Sequence, residues 1–305
     1  MSEPRFLVSA LRSVEFGLPD VAAAENFFVN TWHLTVAARF GPSVYLRGTG
    51  PDHHLLALHP HPEPALLSVT LRSPSPQALD AVAQRFAEHG GTVITPRSTC
   101  LEPGGGEVLV VRDPQGRILR LVCGDTLHAD TEGHRDRPIR LAHAVLNSVS
   151  VAEALPFYEK TLGFKLSDRT RIMAFIRIPQ PGLGDHHSFA LADADNNCLN
   201  HVAFVMPDVD SVMRGGGRMK DAGFPIEWGP GRHGPGDNAF NYFVGPAGFV
   251  IEYTADVEQV DETYVAGNPD DWKWPPGRVD KWGISAPPSA ALKQAQRAIS
   301  FVNLS

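Results

Sequence analysis

Residues 144–166 read AVLNSVSVAEALPFYEKTLGFKL, and residues 14–36 read VEFGLPDVAAAENFFVNTWHLTV. Each stretch predicts a short strand, an Ala-rich helix with a pair of aromatic residues, and a second strand. Such a repeat indicates a duplicated architecture, because both copies follow the same local rules. The fold therefore depends on how far the repeat extends along the chain.

Two further pairs of segments extend it. Residues 67–91, LSVTLRSPSPQALDAVAQRFAEHGG, match residues 200–224, NHVAFVMPDVDSVMRGGGRMKDAGF, as a strand followed by a helix. In the first of these helices Leu79, Val82 and Phe86 fall on one face, and a glycine follows each helix. Residues 112–122, RDPQGRILRLV, match residues 244–254, VGPAGFVIEYT, as a Pro-Gly turn before an apolar strand. The order predicts four βαβββ units in two pairs, an α+β fold.

The composition narrows the possible functions. The chain has 305 residues, 43% of them hydrophobic, which is enough for two domains with separate cores. A net charge of −7 without a basic cluster argues against nucleic acid as a partner. No apolar run is long enough for a membrane helix, and the first residues lack the pattern of a signal peptide. Cys100, Cys123 and Cys198 have no CxxC spacing. We therefore expect a cytoplasmic protein that acts on a small molecule.

Comparison of the two halves identifies candidate metal ligands. His143 and His201 lie in the predicted first strands of two consecutive units, and Glu252 lies in a last strand. Two imidazoles and one carboxylate suit a facial triad for Fe(II), which leaves positions open for substrate and dioxygen. The matching positions in the first half are Ser13, Ser68 and Arg120. A lone histidine is more often a core or surface residue, but three such residues at matching strand positions favour a metal site.

Asp-His-His opens two similar runs, DHHLLALH (52–59) and DHHSFALA (185–192). The repeat aligns His54 with His187, and we expect His187 to lie beside the metal as an acid or base. His54 then faces a position with nothing to catalyse. His186 is expected to point the other way, because side chains alternate along a strand. The histidines of the first run and its flank are predicted to form a solvated hairpin: His53, His54, His59 and His61.

Residues 229–253 read GPGRHGPGDNAFNYFVGPAGFVIEY. Four βαβββ units resemble the vicinal-oxygen-chelate superfamily, and this string resembles the type I extradiol ring-cleaving dioxygenases. The resemblance implies a cup around Fe(II), with Mn(II) as an alternative, and a catecholic substrate with O2. It implies that His233 and Tyr242 hydrogen-bond the substrate and oxygen and that His187 is the acid-base histidine. It places Asp237 in a loop that faces the pocket, although Asn238 competes for that role.

The repeat also sets the expected domains. We expect an N-terminal domain without metal at 1–130, a catalytic domain at 138–262, and a tail at 263–305 that covers the catalytic domain or an interface. The polar stretch 124–138 reads as the linker. The family further implies a homo-oligomer. Two alternatives stay open, a metal-dependent glyoxalase-like isomerase or lyase and a non-catalytic small-molecule-binding member. The isomerase normally needs a fourth protein ligand, which the sequence does not offer. The binding protein would not need the three candidate ligands His143, His201 and Glu252.

Overall fold

The computed structural model describes residues 4–131 and 133–302. The outermost residues of the expected N-terminal domain and of the tail, and Glu132 of the expected linker, lie outside this range. In the part of the chain that is described, no helix is long and apolar enough to cross a membrane.

The first half forms an eight-stranded sheet in the order β2-β3-β4-β1-β5-β8-β7-β6. Its strands are β1 (Ala10–Leu18), β2 (Thr35–Phe40), β3 (Ser43–Arg47), β4 (Leu56–Pro60), β5 (Ala65–Arg72), β6 (Thr92–Thr99), β7 (Glu107–Arg112) and β8 (Ile118–Cys123). Helices α1 (Val21–Asn30) and α2 (Pro76–Glu88) follow β1 and β5. The β1–β4 and β5–β8 pairs are parallel, and the other pairs are antiparallel.

The second half repeats this plan in the order β10-β11-β13-β9-β14-β17-β16-β15. Its strands are β9 (Arg140–Ser148), β10 (Lys165–Arg169), β11 (Met173–Arg177), β13 (Phe189–Asp193), β14 (Leu199–Val205), β15 (Trp228–Arg232), β16 (Ala239–Val244) and β17 (Val250–Ala255). Its helices are α3 (Val151–Leu162) and α4 (Val209–Asp221), and a 3-10 turn (Pro246–Gly248) precedes β17. The short strands β12 (Gly184–Asp185) and β18 (Gln259–Val260) pair separately. The matching order confirms the four βαβββ units and the α+β fold.

Local sequence explains why the helices form where they do. The side chain of Ser75 accepts a hydrogen bond from a backbone N–H in the first turn of α2, so it caps the helix. Leu79, Val82 and Phe86 are fully buried, which confirms their predicted common face. Gly90 follows the helix with φ +88°, a conformation that favours glycine.

Buried contacts join the two halves. The guanidinium of Arg117, with no exposed surface, donates to the carboxylate of Asp113 (2.7 Å) and to the backbone carbonyl of Asn147 (2.7 Å). The Pro-Gly turn of the first half therefore binds the end of β9 in the second. Trp32 of the first half stacks on Tyr253 of β17, with ring centroids 3.6 Å apart. These contacts hold the sheets in one fixed arrangement.

The tail packs on both halves. Residues 278–283 run beside β15, where the backbone N–H of Lys281 donates to the carbonyl of Arg232 (2.7 Å). Helix α5 (Ala290–Ala295) packs on β16. Beyond it, the carbonyls of Ile299 and Ser300 accept hydrogen bonds from Leu199 in the second half (2.8 Å) and Leu66 in the first (2.9 Å). The tail therefore helps to position β14, which carries His201.

Candidate metal centre

His143, His201 and Glu252 converge at the middle of the second sheet, on the adjacent strands β9, β14 and β17. Ala203 on β14 pairs with His143 on one side and with Glu252 on the other, and His201 lies two residues before Ala203 on the same face. The strand register alone therefore brings all three side chains to one point.

The three donor atoms form a small triangle. Nε2 of His143 lies 3.1 Å from Oε2 of Glu252, and Nε2 of His201 lies 3.3 Å from each of these two atoms. Two ligands at right angles on an ion, with bonds of about 2.1 Å, are about 3.0 Å apart. The side chains are buried, with 2%, 5% and 0% exposure in the order His143, His201 and Glu252. These residues form a metal-binding site.

The carboxylate of Glu252 needs a positive partner. Burial raises its pKa, but His143, His201 and His233 hold the pKa well below its ordinary value, so the group is ionised at neutral pH. Its ion-pair contacts among the described residues are with these three histidines. Its Oε1 atom is buried without a hydrogen bond there. A buried carboxylate without a cation is costly, so the donor set fits a divalent metal ion.

Asn200 fixes the orientation of His201. Its side-chain oxygen lies 2.8 Å from Nδ1 of His201 and also accepts from the amide of Gln296 at 2.9 Å. Its amide nitrogen donates to Asn147 at 2.8 Å. Burial lowers the pKa of His201 to about 4, although Glu252 raises it, so the ring is neutral. Because Nδ1 carries the proton, Nε2 is free to bind a metal.

His233 and Tyr242 lie on the opposite side of the trio from β9. The Tyr242 hydroxyl is 3.0 Å from Nε2 of His233 and 3.4 Å from Nε2 of His201. Nε2 of His233 is 3.7 Å from Oε1 of Glu252. Burial raises the pKa of Tyr242 well above its ordinary value, so it stays a neutral phenol. The ring of His233 stacks on Phe240, with centroids 4.0 Å apart, which holds it at the site.

His187 packs against the first ligand. Its ring stacks on that of His143 with centroids 4.5 Å apart. Burial, reinforced by His143, His186 and His233, holds the pKa of His187 well below its ordinary value, so the imidazole is neutral. The structure thus places His187, His233 and Tyr242 around the trio.

His186 differs from its prediction. One ring nitrogen, Nε2, does point away from the trio, to a carboxylate oxygen of Asp168 at 2.8 Å. The other, Nδ1, lies 3.1 Å from Nδ1 of His187. Simple alternation was wrong here because both histidines lie between β12 and β13, where the chain is not a strand.

Asp237 is not brought into this cluster. Its carboxylate pairs with the guanidinium of Arg232 and the ammonium of Lys281, and these cations hold its pKa below the ordinary value although burial raises it. The backbone at Asp237 has φ +47°, in the left-handed region. Asn238 is the buried member of the pair, and its amide donates to Thr254 at 2.7 Å. The loop position expected to face the pocket is therefore not filled by Asp237.

Comparison with known proteins agrees with this geometry. Residues 140–253 match the Glyoxalase/Bleomycin resistance protein/Dioxygenase superfamily. The chain is 31% identical to a Mn(II)-bound glyoxalase from Novosphingobium aromaticivorans, with a TM-score of 0.84 and 92% of each chain covered. The chain belongs to this superfamily.

Metapyrocatechase 2 of Cupriavidus necator is 29% identical over 94% of this chain and 92% of its own length. A variant of homoprotocatechuate 2,3-dioxygenase from Brevibacterium fuscum shares the fold at 22% identity, with a TM-score of 0.85, 99% of this chain and 86% of its own covered.

The internal repeat of this superfamily member can be checked against the strand registers. They pair the halves as the sequence alignment does: Ser13 with His143, Ser68 with His201, and Arg120 with Glu252. The guanidinium of Arg120 contacts the carboxylates of Glu15 (2.8 Å) and Glu102 (2.6 Å). In the first half a fixed cation therefore stands where the second half has a carboxylate.

The first-half histidines are not a solvated hairpin. His54 is buried, with 1% exposure, and its ring nitrogens lie 3.1 and 3.3 Å from the guanidinium nitrogens of Arg12. His59 of β4 forms a hydrogen bond of 2.9 Å with the hydroxyl of Ser43 in the neighbouring strand β3. The prediction was wrong because the apolar residues of DHHLLALH carry the run into the sheet.

Sequence reasoning missed two further residues that contact this site, Asn200 and Asp168. A β-bulge between Leu199 and His201 breaks the alternation, so the side chain of Asn200 reaches its neighbour. The adjacency of an amide to a candidate ligand was the available signal. Asp168 lies in β10 among polar residues, and nothing in its local pattern distinguishes it from a surface carboxylate.

An apolar wall completes the site. Val145 and Ala190 lie on the inner face of β9 and β13, and Phe175 of β11 packs with them. The ring of Phe175 also meets that of His187 edge to face, with centroids 5.0 Å apart. The side of the site next to His143 is therefore lined by hydrophobic groups.

Proposed function

We propose that this chain is an extradiol dioxygenase, which uses O2 to open a catechol ring beside the two hydroxyl groups and gives a muconic semialdehyde-type product. The observation that supports this proposal best is the convergence of three metal-ligating groups with three groups that are able to carry a proton: His143, His201, Glu252, His187, His233 and Tyr242. The name of the relative metapyrocatechase 2 supports the same class of reaction. We further propose that residues 1–130 form a domain without metal, that residues 138–262 form the catalytic domain, and that residues 263–305 form a tail.

The metal in this proposal is Fe(II), held by His143, His201 and Glu252. When bound, it supplies positive charge that favours loss of a catechol proton, and open positions at which substrate and O2 meet. Mn(II) suits the same donors, and the related glyoxalase structure contains Mn(II). Metal analysis decides between the two ions.

Tyr242 and His233 position the substrate. The neutral phenol of Tyr242 is able to donate to a catechol oxygen beside His201, because its hydroxyl already lies 3.4 Å from Nε2 of that ligand. Nε2 of His233 holds the same hydroxyl at 3.0 Å and sets its direction. Together they favour one orientation of the diol.

His187 handles the proton. Because its imidazole is neutral and packs on His143, it is able to accept a catechol proton and return it as the ring opens. Such acid-base assistance contributes roughly two to four powers of ten in rate. The apolar wall of Val145, Ala190 and Phe175 excludes water from this side and suits an aromatic ring.

One observation favours a second function. The relative at 31% identity is named a glyoxalase, so a metal-dependent isomerase or lyase is the alternative candidate. Within residues 4–131 and 133–302, however, the group that is able to hold a metal consists of His143, His201 and Glu252, without a fourth protein ligand. An isomerase needs no O2, and this difference separates the two functions.

The test measures metal content and then oxygen uptake. Purified protein loaded with Fe(II) or Mn(II) is incubated anaerobically with a panel of substituted catechols and then exposed to air. We expect oxygen uptake together with a visible yellow product. Turnover without oxygen, or no uptake with any catechol, contradicts the proposal.

A matched pair of variants assigns the activity to the second half. His201→Ala is expected to lose both metal and turnover. Ser68→Ala changes the corresponding position of the first half, where the hydroxyl is buried without a hydrogen bond among the described residues, and it is expected to retain both. Equal losses in the two variants would place the metal elsewhere.

A further inference from the structure

A buried polar chain leads away from His187. Nδ1 of His187 faces Nδ1 of His186 at 3.1 Å, and Nε2 of His186 faces Oδ2 of Asp168 at 2.8 Å. His186 and Asp168 have no exposed surface, and His187 has 2%. None of the roles assigned so far to the site requires Asp168 or His186, so this chain needs its own explanation.

The donors and acceptors along the chain have a fixed order. A carboxylate only accepts hydrogen bonds, so Nε2 of His186 donates to Asp168. When His186 carries a single proton, on Nε2, its Nδ1 is an acceptor, and the proton between the two rings belongs to Nδ1 of His187. This leaves Nε2 of His187 unprotonated, and no described residue forms a hydrogen bond with it.

The tail holds Asp168 in place. The backbone N–H of Gly267 donates to Oδ1 of Asp168 at 2.7 Å, and the hydroxyl of Tyr264 lies 3.4 Å from Oδ2. The backbone N–H of Arg169 returns a bond to the carbonyl of Gly267 at 2.9 Å. Both carboxylate oxygens therefore have defined donors, which prevents the group from rotating.

The first half offers an internal comparison. Nδ1 of His53 lies 3.0 Å from Nδ1 of His54, so the duplication retains the pair of rings. The strand registers place Ala38 where the second half has Asp168. His53 stacks on His128 instead, with centroids 5.4 Å apart. The carboxylate is thus present in the half with the metal ligands and replaced by a methyl group in the other.

We propose that Asp168, acting through His186, is a positioning residue that fixes His187 as the Nδ1–H tautomer and so leaves Nε2 as the proton acceptor of a ring that stacks on the ligand His143. The effect on turnover rests on the proposed dioxygenase function, whereas the tautomer does not. A carboxylate that holds a catalytic histidine in one tautomer contributes strongly to rate in other enzymes.

Nitrogen NMR tests the tautomer directly. The full chain, loaded with diamagnetic Zn(II), is labelled with ¹⁵N-histidine, and the signals of His187 are identified by their loss in His187→Phe. We expect a protonated Nδ1 and an unprotonated Nε2 in the wild type. A proton on Nε2 instead overturns the proposal, and this measurement needs no variant of Asp168 that folds.

Asp168→Asn is expected to reverse the order. Its amide oxygen is retained opposite the N–H of Gly267, so its NH2 group faces Nε2 of His186 and donates to it. His186 then donates from Nδ1, and the proton of His187 moves to Nε2. An unchanged His187 tautomer in this variant, with the fold intact by circular dichroism, refutes the role of Asp168.

Turnover provides the second readout. With Fe(II) and a catechol, Asp168→Asn is expected to lower kcat on the order of 10²-fold, with KM and bound metal nearly unchanged. The control is Asp193→Asn, which removes an exposed carboxylate paired with Arg169 in the same sheet and is expected to keep wild-type kcat. A kcat unchanged in Asp168→Asn overturns the catalytic consequence. If the wild type itself takes up no oxygen, the proposed function fails while the NMR result still decides the tautomer.

Discussion

Replacement of Asn200 by Ala is expected to weaken metal binding without touching a ligand. The Asn200 oxygen accepts the Nδ1–H of His201 at 2.8 Å, and the ring of His201 is 5% exposed, so water is a poor substitute. A buried donor left without a partner costs about 1–3 kcal/mol. Loss of a partner that orients a ligating histidine lowers metal affinity typically 10- to 100-fold, or about 1.4–2.7 kcal/mol.

The assay is a chelator competition titration with Mn(II), which is stable in air. Wild type and Asn200→Ala are titrated side by side, and circular dichroism confirms that both are folded. We expect the Kd of the variant to rise on the order of 10- to 100-fold. The comparison isolates the hydrogen bond because His143, His201 and Glu252 are all retained.

Gln296→Ala is the matched control. Gln296 donates to the same oxygen of Asn200 at 2.9 Å, but its loss leaves the acceptor for His201 in place. We therefore expect a much smaller change in Kd. A wild-type Kd in Asn200→Ala, or a larger loss in Gln296→Ala, would refute the reasoning.

Three further outcomes are expected. His187→Phe keeps bound metal by elemental analysis but lowers kcat by roughly 10²- to 10⁴-fold, because it removes the acid-base group. His54→Ala keeps metal and specific activity, yet it leaves the buried guanidinium of Arg12 short of a partner, so urea unfolding should show a loss of about 1–3 kcal/mol. In metal-free protein His201 alone is expected to make the fold about 2 kcal/mol less stable at pH 5 than at pH 7, since its folded pKa, about 4, lies below its ordinary value of 6.5 and the unfolded chain binds more protons between these limits. The lowered pKa values of His54 and His187 act in the same direction. Equal urea midpoints at the two pH values would contradict this burial.

The repeat made the fold predictable. Strand registers are set by which face of each strand is apolar, and both halves carry the same alternation, so Ser13 aligns with His143 in the sequence and in the structure. The three metal ligands were predictable for the same reason, because equivalent strands are adjacent in the two sheets. Self-association stays a prediction.

The other residues of the site could not be predicted from the local sequence pattern. The tail has no periodicity, yet Gly267 holds Asp168, and Gly234 lies so close to Trp274 that a Cβ there would be 2.7 Å from its ring. Asn200 and Gln296 meet across ninety-six positions of sequence. Such contacts depend on the folded path of the chain, which polar residues in loops do not reveal.

The ion pair of Arg120 with Glu15 and Glu102 has a consequence for a cell short of metal. In the N-terminal half the cation is the guanidinium of Arg120, which is part of the polypeptide and is present in every molecule as soon as it is synthesised. Lack of metal therefore leaves a buried carboxylate without its cation in the C-terminal half and not in the N-terminal half. The buried contact of Arg117 with the end of β9 joins the two halves, so the first half helps to hold the strand of His143 in place whether or not an ion is bound.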